Sequence, residues 1–116
     1  MWVVITKLPF EEWFEVQPNY LQDEILAVLC VLRENRPLLG RPYVDTLSGS
    51  KFMNMKELRI QVKGQPIRIC FAFDNSRQAI ILCAGNKKGR NEKQFYNNLI
   101  KTADEQFRIH LSELEE

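Results

Sequence analysis

"MKELRIQVKGQPIRICFAF", residues 55–73, is the stretch whose reading decides the fold. Its apolar residues alternate on both sides of Lys63-Gly64, the period-2 pattern of half-buried strands. Leu58, Ile60 and Val62 point one way, and Glu57, Arg59 and Gln61 the other. Past the turn, Ile67, Ile69, Phe71 and Phe73 share one face, while Arg68, Cys70 and Ala72 share the opposite one. Lys-Gly suits a two-residue hairpin turn, with the glycine supplying positive φ. That register pairs Val62 with Gln65 and sets Arg59 directly opposite Arg68. A four-residue loop makes the two arginines diagonal neighbours instead. Either register keeps both guanidinium groups on one face and within reach of each other.

Outward from the hairpin, "DNSRQ" (74–78) is the next turn, and "QAIILCAG" (78–85) is apolar on both faces, as an interior strand should be. "GNKKGRN" (85–91) is a basic loop bounded by glycines, and Asn91 is placed to cap a final helix. Phe95, Leu99, Ala103, Phe107, Leu111 and Leu114 recur there at steps of three and four. Upstream, "WVVIT" (2–6) is a short strand. "PFEEWFEV" (9–16) opens with proline and acids, a good helix start, and its apolar side is Trp13, Phe14 and Val16. Asn19 with Gln22 resembles a capping box for a second helix from Tyr20 to Asn35, with Leu21, Ile25, Val28, Leu29 and Leu32 as its buried stripe. Residues 37–54 read as a long ordered loop pinned by Leu47 and Tyr43. Loops of this length are uncommon without a function.

The order β-α-α-β-β-β-α implies one compact α+β domain spanning residues 1–116. Its sheet, antiparallel or mixed, has about four strands. The helices are expected on one face, which leaves the other, with Arg59 and Arg68, free.

A chain of 116 residues suits one domain. No apolar run approaches the ~20 residues of a membrane span, and the N-terminus does not read as a signal peptide. A soluble, cytoplasmic protein is the expectation. Cys30, Cys70 and Cys83 lie in apolar runs without metal-ligand spacing, so they read as small buried hydrophobes. His110 is the one histidine and reads as a surface or partly buried helix residue. A Cys–His dyad has little else to support it.

The net charge of +1 conceals a segregation. Residues 1–50 carry four basic and seven acidic side chains, net −3. Residues 51–93 carry ten basic and three acidic, net +7; residues 94–116 return to −3. A basic middle between acidic flanks points to a localised anion-binding surface, or to a solvated sheet face protected by lysines. Opposed like charges cost stability that Thr or Gln would avoid. An anion seated between the arginines explains them; so does pairing with Glu57 and Asp74. A meander also brings Lys87 and Lys88, at the end of the third hairpin strand, towards Arg68. Two arginines and two lysines then form a cradle suited to phosphodiesters and to the added charge of a phosphoryl-transfer transition state. No acidic constellation fit for Mg²⁺ is evident, so chemistry without metal or cofactor is expected.

"MKELRIQVKGQPIRICFAF…QAIILCAGNKKG" resembles the RelE/HigB superfamily of bacterial toxin–antitoxin toxins, especially its phage-derived HigB-like branch. The shared pattern is an E-L-R strand, a turn, an R-hydrophobic-aromatic strand, a hydrophobic strand and a K-K loop. The resemblance implies ribosome-dependent mRNA cleavage, in which a 2′-hydroxyl attacks the adjacent phosphate to give a 2′,3′-cyclic phosphate and a 5′-hydroxyl. By position, Arg59 and Arg68 would bind the scissile phosphate, Lys87 and Lys88 would hold neighbouring phosphates or the leaving group, and Tyr96 would stand where some members have a functional tyrosine. Lys51 and Lys56 would contact RNA, and Lys63 and Arg90 extend that basic surface. A helix-turn-helix antitoxin is the implied protein partner, besides ribosome and mRNA. Three departures stand out: relatives often have His at the position of Cys83, an aromatic residue at Gly85 and Lys at Glu57. No residue is an obvious general acid or base. Two alternatives stay open: a ParE-like inhibitor of a protein target such as DNA gyrase, and an inactive copy that only binds RNA or antitoxin.

Overall fold

The computed structural model describes residues 3–35 and 43–115. Trp2 of the expected first strand and residues 36–42 of the expected long loop lie outside the described residues. The elements run β1 (Val3–Thr6), α1 (Leu8–Glu15), α2 (Asn19–Asn35), β2 (Val44–Thr46), β3 (Lys56–Val62), β4 (Gln65–Phe73), β5 (Gln78–Asn86) and α3 (Glu92–Leu114). They form one five-stranded sheet in the order β1-β5-β4-β3-β2. β1 runs parallel to β5 and every other pairing is antiparallel. The sheet is therefore mixed, and it gains a strand that the sequence pattern hid. β2 has three residues inside the Pro/Gly/Ser-rich stretch and forms only by pairing with Leu58, Glu57 and Lys56.

The β3–β4 hairpin takes the two-residue register. Val62 pairs with Gln65, and Arg59 with Arg68. Lys63 and Gly64 both have positive φ, 49° and 75°, the type I′ geometry whose twist matches that of the flanking strands. Between β4 and β5, Cys70 pairs with Cys83 but Phe71 with Ile81. This bulge at Leu82 turns Leu82 and Cys83 to the same side.

The helices divide between the two faces, which corrects the expectation that they share one. Leu21, Ile25, Leu29 and Leu32 of α2 and Phe10 of α1 pack on Leu58, Ile60, Ile67, Ile69 and Phe71. On the other face, Phe95, Leu99, Ala103 and Phe107 of α3 cover Cys70, Ala72, Ile80, Leu82 and Cys83. Strand periodicity explains both layers, because the central strands β4 and β5 are apolar on both sides along most of their length. The arginine face is thus roofed by α3 along much of its length.

Local details shift accordingly. Val16 lies past the end of α1 and is exposed, and Phe10 takes the buried position instead. No Asn19–Gln22 capping box forms. The Pro18 carbonyl accepts from the amides of Leu21 and Gln22, and the Gln22 side chain donates to the Phe14 carbonyl at 2.9 Å. Leu47 is buried as expected, but Tyr43 is exposed. Cys30 is exposed, on the outer side of α2, whereas Cys70 and Cys83 are buried. Asn91 caps α3, its side chain accepting from the Gln94 amide at 3.0 Å. Among the described residues, no helix is long and apolar enough to cross a membrane.

Candidate active site

β2 begins at Val44, opposite Leu58; the Arg59 amide still donates to the Tyr43 carbonyl at 2.7 Å, and among the described residues no strand pairs with β3 beyond that point. There a cleft of about 390 Å³ is lined by both Arg59 and Arg68, with Tyr43, Gln61, Glu24 and Val28. The two arginines differ sharply in environment. The side chain of Arg59 is 40% exposed, whereas Arg68 is 6% exposed. Arg68 donates from Nε to the Tyr96 hydroxyl at 3.2 Å and from Nη1 to the Ile67 carbonyl at 3.0 Å. Among the described residues, no carboxylate lies within ion-pair distance of it. A buried, permanently charged guanidinium held only by neutral acceptors costs free energy that an anion in the cleft would recover.

Around this pair the fold gathers three more groups. α3 begins beside the end of β5, so Tyr96, in its second turn, stands over Arg68. Burial pushes the Tyr96 phenol above its ordinary value of 10.0; the hydrogen bond from Arg68 opposes the shift and the Glu57 carboxylate adds to it. At neutral pH it is a hydroxyl and can donate. Lys87 follows β5 directly. Its Nζ sits 5.6 Å from the centre of the Tyr96 ring and 2.9 Å from Glu92 Oε1. Glu57, buried, places Oε1 3.7 Å from Arg59 Nε, while its Oε2 has no hydrogen-bond partner among the described residues. It lines a small pocket of about 290 Å³ together with Tyr96 and Ser48.

Glu57 is the site residue that the sequence pattern did not single out as chemistry. Its only signal was its place next to Arg59, two residues away on one strand face, and pairing with the arginine was sufficient to explain that. The structure gives Glu57 one long ion pair and one orphaned oxygen, an unusual state for a buried carboxylate. Asp74, the other expected partner of the arginines, is engaged elsewhere. Its carboxylate accepts from the amides of Ser76 and Gln78, the Gln78 side chain, and His110 Nε2 at 2.8 Å. His110 is therefore fully buried, a structural tie between α3 and the β4–β5 turn, and not a surface residue. Cys83 Sγ donates to the Leu99 carbonyl, so no Cys–His dyad forms among the described residues. The bond to Cys83, followed by burial, pushes the Cys70 thiol well up, which leaves it inert.

The remaining expected RNA contacts separate. Lys51 lines a groove that Tyr96 also lines. Lys88 and Arg90 are exposed on the β5–α3 loop, Arg90 standing 5.6 Å from the Phe95 ring centre. Lys63 is held at the hairpin tip, 4.0 Å from the centre of the Tyr20 ring. Lys56 is not on the arginine face at all. Strand alternation puts it on the opposite side, where it donates to Thr46 Oγ1 at 2.9 Å. Among the described residues, no three His, Cys, Asp or Glu side chains gather as a metal ion would need.

Packing accounts for the glycine at position 85. A Cβ at Gly85 would lie 2.9 Å from Phe95 Cε1, so the close seating of α3 on β5 leaves no room for a side chain there. The neighbouring Cys83 is sealed under the same helix.

Comparison with known proteins places this geometry. The model for the family described as "Phage derived protein Gp49-like (DUF891)" matches residues 12–108. A Mycobacterium tuberculosis H37Rv protein named "Putative toxin HigB2" is 52% identical over 105 residues, covering 90% of this chain. This chain spans 52% of that relative's length, about half. A second from the same organism, "Putative toxin HigB3", is 44% identical over 95 residues, covering 82% of this chain and 81% of the relative. Among solved structures, the isolated Escherichia coli RelE toxin matches with a TM-score of 0.58 at 10% identity, over 87% of this chain and 97% of that one. The toxin–antitoxin complex RelBE of E. coli matches with a TM-score of 0.56 at 8% identity, over 73% and 95%. The mixed sheet, layered between helices, has the RelE fold. The chain belongs to the phage-derived Gp49-like family, within the RelE/HigB toxin superfamily.

Proposed function

We propose that this chain is the toxin of a toxin–antitoxin pair and acts as a ribosome-dependent endoribonuclease on mRNA in the cytoplasm. The observation that carries the reading is Arg68. It is a buried guanidinium with no carboxylate partner among the described residues, set opposite Arg59 on a shared open cleft. Guanidinium forks match phosphate oxygens and stay charged. The scissile phosphate sits between the two arginines, which stabilise the charge added when the 2′-oxygen attacks. Glu57, through its unpartnered oxygen, takes the proton of the 2′-hydroxyl. The 2′-oxygen bonds to phosphorus, the bond to the 5′-oxygen breaks, and the products are a 2′,3′-cyclic phosphate and a 5′-hydroxyl. Tyr96 and Lys87 donate to the leaving oxygen or to a non-bridging oxygen, and Lys88 holds a flanking phosphate. Positioning and charge stabilisation supply most of the rate. Outside the cleavage complex, a helix-turn-helix antitoxin covers the basic face.

The test is controlled expression in a bacterial host, wild type beside Arg59→Ala/Arg68→Ala, with growth followed and mRNA 5′ ends mapped. Arrest with new ends inside translated messages, absent in the double variant, supports the reading. Arrest without new ends assigns the toxicity to a protein target and overturns it. Absence of arrest leaves the chain as a binding copy and overturns it as well.

A further inference from the structure

Outside the cleft at Arg59 and Arg68 lies a larger groove of about 720 Å³, between residues 48–52 and α3. We propose that it carries the single-stranded RNA running on from the phosphate bound at the two arginines; this rests on the nuclease reading above. The two sites are joined by Tyr96, whose hydroxyl meets Arg68 and whose side chain lines the groove. Lys93 and Lys101 stand eight residues apart on α3, and Arg108 seven further on. At 1.5 Å per residue this row extends about 22 Å along the helix. Lys51 faces it from the other wall.

The charge balance favours an anionic occupant. Both carboxylates lining the groove are already engaged. Asp104 is buried and accepts from Ser50 Oγ and the Lys51 amide. Glu105 accepts from Nε and Nη2 of Arg108 at 3.1 and 2.7 Å. Lys51, Lys93 and Lys101 make no ion pair among the described residues, and together with Arg108 they give the groove four cationic side chains against two carboxylates, of which Glu105 also interacts with Lys51 at longer range. The walls also offer aromatic surface. Phe52 is half-buried, held edge-on by Phe107 at 5.0 Å between centroids, and Tyr96 lies further along. A lysine-lined groove with aromatic walls is the arrangement that tracks a single strand without reading its sequence. An acidic protein segment would use the lysines, but would have no need of continuity with the phosphate site.

The experiment measures binding of fluorescent, non-cleavable RNA to the full chain by anisotropy across a salt series. The RNA carries 2′-O-methyl sugars, which block the attacking oxygen, and is a dinucleotide or an octanucleotide. Lys93→Ala/Lys101→Ala, both on the exposed side of α3, is compared with wild type and with Arg59→Ala/Arg68→Ala. Circular dichroism melting checks that each variant folds. The expected result is loss of octanucleotide affinity by about 25-fold near 0.1 M salt, with the log–log salt slope flattened by about 1.4. Dinucleotide binding is left unchanged. Unaltered octanucleotide binding overturns the proposal, as does weakened binding of the cognate antitoxin with RNA binding intact. No RNA binding by wild type overturns it too, and leaves the nuclease reading to the cleavage assay. If the arginine variant binds the dinucleotide as wild type does, the phosphate reading of the arginines fails separately.

Discussion

Glu57→Gln separates a catalytic carboxylate from a structural one, because the two roles predict opposite patterns. The substitution keeps size and shape. What it removes is an ion pair at 3.7 Å with a partner whose side chain is 40% exposed; such pairs contribute about 1 kcal/mol or less. What it relieves is the burial of a charge with one orphaned oxygen. Leaving a buried polar atom unpaired costs about 1–3 kcal/mol, and more when it is charged. The two effects offset, so stability is expected to stay within about 1 kcal/mol of wild type, or about 4 °C in Tm. Loss of a general base costs about 10²–10⁴ in rate, which is about 3–5.5 kcal/mol of barrier. The assay is single-turnover cleavage of mRNA on stalled ribosomes, run beside urea unfolding. A variant that cleaves within a few-fold of wild type refutes the assignment. So does one that loses several kcal/mol of stability in step with its activity, because Glu57 would then be holding the hairpin and not the proton.

Arg59→Ala is expected to abolish cleavage while moving stability by less than about 1 kcal/mol, since relief of the Arg59–Arg68 repulsion offsets the lost Glu57 contact; a large drop in urea midpoint would mark Arg59 as structural. Gly85→Ala is expected to cost about 1–3 kcal/mol in chemical denaturation, because its Cβ meets the Phe95 ring at 2.9 Å and overpacking must shift α3; an unchanged midpoint would mean the helix is seated more loosely. Burial alone would raise Asp74, but hydrogen bonds from His110, Gln78 and the Ser76 and Gln78 amides outweigh it and hold the carboxyl below its ordinary 3.8. A depressed pKa stabilises the fold above the unfolded value and loses that contribution as pH falls through the folded one. Urea unfolding from about pH 6 down to pH 3 should therefore show stability falling below about pH 4 in wild type and a shallower fall in Asp74→Asn. Equal slopes would refute the assignment of that acid sensitivity to Asp74.

Local pattern carried much of this molecule. The period-2 alternation of residues 56–73, with Lys63-Gly64 between, determined the hairpin and put Arg59 and Arg68 on one face, because side-chain direction in a strand follows from parity alone; of the two registers open to it, the structure takes the one with the two-residue turn. The stripes of α2 and α3 and the Asn91 cap were legible for the same reason: they depend on neighbours three and four residues away. Parity also contained the placement of Lys56 on the far face, although grouping it with the basic residues obscured this.

What only the tertiary structure decided are relations between distant segments. β2 exists because β3 offers an edge to three residues that have no strand pattern of their own. That α3 crosses to the arginine face depends on strands apolar on both sides, for which periodicity assigns no preferred helix. That crossing sets Tyr96 over Arg68, seals Cys83 and Gly85, and buries His110 on Asp74. Glu57 became a candidate base in the same way. Its type and position were in the sequence, but an oxygen left without a hydrogen-bond partner among the described residues depends on which distant groups the fold brings near it.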